Sequence, residues 1–122
     1  MNTSEDRANR ASWQQFSLYS ILIMVFTGLF TNLATISLIA FADETIYLPI
    51  TVIIILVNLL VAAGTADGIS DWAAVRKDYD DEEEKTHLAK RFAETNTNFF
   101  KALLILIFGA TALSQLYVMY IA

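Results

Sequence analysis

Apolar residues fall into three long uncharged runs in this chain, and the charges lie before and between them. No Asp, Glu, Lys or Arg occurs over the 32 residues from Ala11 to Ala42, the 22 from Thr45 to Ala66, or the 21 from Ala102 to Ala122. A run of roughly 18 apolar residues or more is long enough to cross a bilayer. In hydrocarbon such a run is helical, because only a helix satisfies its own backbone N–H and C=O groups. The pattern predicts an all-α polytopic membrane protein with three transmembrane helices, over residues 17–41, 46–66 and 102–122. An N-terminal arm, 1–16, precedes them, a short turn, 42–45, joins the first two, and a polar segment, 67–101, joins the last two. Pro49 suits the first turn of span two, where its missing N–H has no helical partner to lose.

The polar segment reads as helical. Its only Gly is Gly68, it has no Pro, and Asp81/Lys85 and Glu82/Lys85 are spaced to meet on one helix face. Trp72, Val75 and Tyr79, then Leu88, Phe92 and Phe99, recur near helical spacing. Span two is therefore expected to run on past the membrane, turn near Asp78–Glu84 and return through a second helix into span three, as a helical hairpin.

Charge gives the direction of crossing. Orientation follows Lys and Arg near the ends of the spans, with acids counting for little. Arg7 and Arg10 precede span one, and Arg76, Lys77, Lys85, Lys90, Arg91 and Lys101 lie between spans two and three. The Asp43-Glu44 turn and the C-terminus carry none. This places the N-terminus and the hairpin in the cytoplasm and the C-terminus outside. Trp13, Phe16, Tyr19 and Trp72 at one edge, and Tyr47, Tyr117 and Tyr120 at the other, suit the headgroup level. Ala40-Phe41-Ala42 resembles a signal-peptide cleavage site. However, Glu5 and Asp6 offset the two arginines of the arm, and the apolar stretch is about twice the usual length, so span one is read as retained.

Composition narrows the chemistry. Residues of the hydrophobic class make up 56% of the chain, well above a soluble domain, and there is no Cys for a disulfide or a thiolate metal site. Thirteen acids against eight Lys and Arg give a net charge of −5, the opposite of a nucleic-acid-binding stripe. The run Asp78–Glu84 lacks the spacing and Gly of an EF-hand loop and reads as a solvated, self-repelling turn. Glu84-Lys85-Thr86-His87 is a lone Glu-x-x-His, where a di-iron bundle needs two copies and further Glu residues. His87 reads as a surface residue beside Glu83 and Arg91, with pH sensitivity as its one functional option. No Ser/His/Asp set or phosphate loop is recognisable, so neither an enzyme nor a cofactor is expected. No ionisable group sits deep in a span, and no internal repeat is visible, which disfavours ion-coupled transport.

Neutral polarity inside the spans carries the functional expectation. Span one has Thr27, Thr31 and Thr35, four apart, with Asn32 alongside; span two has Thr51, Asn58 and Thr65, seven apart; span three has Ser114 and Gln115. Ile21, Val25, Leu29, Ile53, Ile54, Leu60, Leu103 and Ile107 are assigned to lipid. The polar stripes suit either helix–helix packing or the lining of a pore. Three helices alone enclose no channel, so a pore requires several copies. Asp43 and Glu44 would ring its outer mouth and Asp67 and Asp71 its inner one, concentrating cations. These two acidic mouths favour a homo-oligomeric, cation-permeable pore or channel-type effector, with the bilayer and copies of itself as partners. The alternative is a non-catalytic accessory or scaffolding subunit that docks on other membrane subunits.

Overall fold

A computed structural model describes residues 3–122, apart from the side chains of Leu88, Phe92 and Ala93, so the apolar spacing at Leu88 and Phe92 lies outside the described residues. Five α-helices follow in order: α1 Ser4–Phe41, α2 Tyr47–Lys77, α3 Asp81–Glu84, α4 His87–Ala93 and α5 Thr97–Tyr120, with a 3-10 turn at Glu44–Ile46. Among the described residues there is no strand. α1, α2 and α5 are long and apolar enough to cross a membrane, compatible with an integral membrane location.

The three long helices differ in reach. At 1.5 Å per residue the 38 residues of α1 extend about 57 Å, the 31 of α2 about 46 Å and the 24 of α5 about 36 Å. Against a hydrocarbon core of about 30 Å, α5 is long enough with little to spare, while α1 and α2 exceed that thickness. The arm expected ahead of span one is thus the first turns of α1. They are started by a capping box in which the Thr3 hydroxyl accepts from Asp6 N at 3.1 Å and Asp6 accepts from Thr3 N at 3.0 Å.

α2 is the centre of the bundle: it packs along both α1 and α5, which touch each other far less. At the Tyr47 end, Ile50, Ile54 and Met119 form a small apolar core with Ile39 and Leu116 against it. Tyr47 and Tyr120 meet edge to face there, and the Tyr120 hydroxyl hydrogen-bonds Thr51 at 2.6 Å. Ile54 is fully buried, which corrects its assignment to lipid. It lies four residues from Ile50 and from Asn58, on the inward face of α2. Leu29, Ile53, Leu60, Leu103 and Ile107 are exposed as assigned, whereas Ile21 and Val25 are only half-exposed.

The segment after α2 departs from a simple hairpin. α2 does run on, to Lys77, and the chain does turn at Asp78–Asp80. The return path, however, is two short helices and then a break at Glu94–Asn96, not one helix leading into span three. The break ends where Asn96 caps α5, its side-chain oxygen accepting from Phe99 N at 3.1 Å.

Candidate functional site

Two polar clusters tie the helices together, one within the spans and one at the end of the bundle. The first begins on α1, whose five buried residues, Gln14, Ser17, Gly28, Asn32 and Thr35, are all polar or lack a side chain. From Leu18 to Phe41 the exposed side of this helix is mostly apolar and its buried side polar, the arrangement by which helices find partners in an apolar solvent. At Gly28 the missing side chain makes room for Phe108 of α5 and Val61 of α2, which a Cβ would meet at 2.5 and 2.9 Å.

One turn on, Asn32 and Asn58 exchange amide hydrogen bonds at 2.9 and 3.0 Å, joining α1 to α2. Gln115 of α5 donates to the same Asn32 oxygen at 2.8 Å and accepts from the Thr35 hydroxyl, which also lies 3.0 Å from the Asn32 carbonyl. The remaining amide protons go to backbone: Asn32 to Gly28 O at 2.7 Å, Asn58 to Ile54 O at 2.8 Å and Gln115 to Thr111 O at 3.4 Å. All six side-chain amide protons therefore have an acceptor within one chain. The knot is closed on itself.

That closure sorts the sequence candidates. Asn32, Thr35, Asn58, Thr65 and Gln115 lie in the interface between helices of a single chain. Thr65 donates to Val61 O at 2.8 Å. Thr27 and Ser114 are exposed and donate to carbonyls of their own helices, Ile23 O at 2.8 Å and Thr111 O at 2.9 Å, while Thr31 and Thr51 are half-buried. Thr27, Thr31 and Thr35 do not share a face, because each step of four residues advances about 40° around a helix. The seven-residue spacing of Thr51, Asn58 and Thr65 drifts only about 20° per step and stays inward.

The second cluster joins the start of α1 to the turn after α2. Arg7 Nε donates to Asp80 Oδ2 at 2.6 Å, and Arg10 Nε donates to Glu83 at 2.9 Å while its Nη2 contacts both Glu83 and Asp80, the latter at 3.5 Å. Asp80 and Glu83 are themselves the capping box of α3: Glu83 N donates to Asp80 Oδ1 at 2.9 Å and Asp80 N to Glu83 Oε1 at 3.1 Å. One oxygen of Asp80 caps a helix while the other takes an arginine. The backbone N–H of Glu83, then Arg7, hold the Asp80 carboxyl below the usual carboxylate range. The Tyr79 hydroxyl completes the clamp by donating to Gln14 Oε1, and burial pushes that phenol up. The acidic run is thus no free, self-repelling turn. Two of its members are neutralised by arginines 73 residues earlier, a contact no local spacing could reveal.

The remaining candidates stay apart. Asp43 caps the 3-10 turn, accepting from Thr45 N at 2.9 Å and from its hydroxyl, which hold its carboxyl low; Glu44, Asp67 and Asp71 are exposed. His87 is exposed at the start of α4. It does not stand one helical turn from Glu83, because α3 ends at Glu84 and Glu83 faces Arg10. Among the described residues no three potential metal ligands converge. Comparison with known proteins gives no match to a family model, a curated protein or a solved structure.

Proposed function

We propose that the chain is a non-catalytic integral membrane subunit: a three-helix unit that holds its own shape and serves larger membrane assemblies by docking. The observation that carries this reading is the closed amide knot. A pore lining leaves polar groups facing water or an ion, whereas Asn32, Asn58 and Gln115 direct every amide proton to acceptors in the same chain. Their role is then to specify how three spans assemble, leaving the outer surfaces for lipid and partner subunits. In this reading the N-terminus and the α3–α4 end face the cytoplasm, following the distribution of Lys and Arg, and the C-terminus faces outside.

A homo-oligomeric cation pore is the second reading, supported by the four exposed acids Asp43, Glu44, Asp67 and Asp71 near the two ends of the spans. Reconstitution of the purified chain in nanodiscs and planar bilayers separates the two. The docking reading expects one copy per disc and no current. A defined homo-oligomer carrying cation current overturns it in favour of the pore.

A further inference from the structure

At the clamp end of the bundle α1 and α5 are separated by a cleft of about 200 Å³, walled by Leu18 and Ile21 of α1, Ile69 and Trp72 of α2, and Phe100 and Leu104 of α5. Thr95 and Thr97 complete its lining, which is otherwise apolar. Lys101 lies outside this wall, but three residues before Leu104 and four after Thr97, it shares their side of α5. Lys101 is half-buried and makes no ion pair or hydrogen bond among the described residues. The groove on the α2 side of α1 has the opposite rim, with Asp71 and Asp78 beside Ser17 and Ser20.

We infer that the cleft between α1 and α5 holds the headgroup-proximal part of one acyl chain of an anionic phospholipid, with its phosphate held by Lys101. This rests on the reading that α5 crosses the bilayer, which sets Lys101 and Trp72 at the headgroup level and opens the cleft along the hydrocarbon edge. An apolar slot with an unpaired cation on a neighbouring position of the same helix side matches an amphiphile whose tail is alkyl and whose head is negative. Phosphatidylcholine offers the same tail but carries its own cation beside the phosphate, so it gains less from Lys101. The acidic groove on the other side of α1 repels the same headgroup, which makes the preference a property of one cleft.

The chain has two tryptophans, so Trp13→Phe leaves Trp72, in the cleft wall, as the single fluorescent reporter. The full chain is placed in phosphatidylcholine bilayers containing an equal small share of chain-brominated phosphatidylglycerol or chain-brominated phosphatidylcholine. Brominated phosphatidylglycerol is expected to quench Trp72 at least two-fold more strongly. Lys101→Gln is expected to remove that preference. Lys85→Gln, which deletes an equal but exposed charge, is expected to keep it. Circular dichroism verifies that each variant keeps its helices. Equal quenching by the two lipids before substitution overturns the site, as does a preference lost equally in both lysine variants, which marks general surface charge. Quenching by neither lipid overturns the membrane-spanning reading, and the lipid site with it.

Discussion

The amide knot and the ionic clamp do the same job, fastening α1 to the rest of the chain, with different chemistry suited to different solvents. Within the spans the fasteners are neutral amides and a hydroxyl, buried and fully used. At the end of the bundle they are full charges, with Arg7 still partly exposed. A charge in hydrocarbon carries a desolvation cost that an amide avoids, whereas near water an ion pair is cheap to hold and weakened by salt. Completeness differs too. The two buried side-chain atoms without a partner among the described residues, Gln14 Nε2 and Arg76 Nε, both belong to the clamp end. The spans carry no such loose end among the described residues.

The largest effect is expected from breaking the knot. Asn32→Leu leaves Asn58 Oδ1 without a donor and takes one acceptor from each of the Asn58 and Gln115 amides, at about 2 kcal/mol of unfolding free energy measured in bicelles. Adding Asn58→Leu should cost less than the sum of the two single changes, because the two residues lose the same bonds. A cost for Asn32→Leu of only a few tenths of a kcal/mol would show that the knot does not fasten the helices. A pair of glycines tests packing next. Gly28→Ala drives a methyl into Phe108 and Val61 and is expected to cost about 1–2 kcal/mol. Gly109→Ala meets nothing within 4 Å and should stabilise α5 by roughly 0.5–1 kcal/mol through helix propensity. Equal effects at the two positions would contradict the packing.

The clamp should respond in the smallest and most local way. Asp80 has a lowered carboxyl pKa in the folded chain, so its contribution is present above the ordinary carboxylate value and is lost as pH falls through the lowered one. Arg7 and Arg10, both raised, stay charged throughout, and Glu82, Glu83, Glu84 and Arg76 complete the charged surroundings of the turn. Near neutral pH the effective lever is therefore salt. Raising ionic strength from about 0.01 M to 1 M shortens the screening length from roughly 30 to 3 Å. Amide exchange in the first three turns of α1 should speed up, with none at Asn32. Asp80→Asn should mimic this at low salt, and unchanged exchange there would remove the clamp as a fastener.

Much of this is legible in the amino-acid sequence, and the illegible part has a physical cause. The three helices long and apolar enough to cross a membrane follow from absent charge over 21 residues or more. Polar positions inside them mark the inward side, and seven-residue spacing keeps Asn58 and Thr65 there. Four-residue spacing misled because of helical drift, so Thr27 turned outward while Thr35 turned inward. Whether inward means toward sister helices or toward other copies depends on which amide reaches which. Asn32 meets Asn58 26 residues on and Gln115 83 residues on, distances at which periodicity carries no information. The clamp was hidden for the same reason. By local spacing Arg7 and Arg10 read as orientation charges and Asp80 and Glu83 as a repelling run, whereas in the fold each pair is the other's counter-charge.

The shared carboxylates of α3 carry one more implication, for how the chain is threaded. A four-residue helix cannot persist by itself, and here its capping groups are also held by arginines from the very start of the chain. In the proposed membrane-spanning reading, α1 and α2 carry the intervening polypeptide across the bilayer and back, which brings those arginines to Asp80 and Glu83. A chain that failed to insert α1, or left α2 on the wrong side, would strand two cations on one side and two anions on the other. In that reading, closure of the clamp requires an even number of passages between Arg10 and Asp80, a parity check on insertion written in side chains at the water's edge.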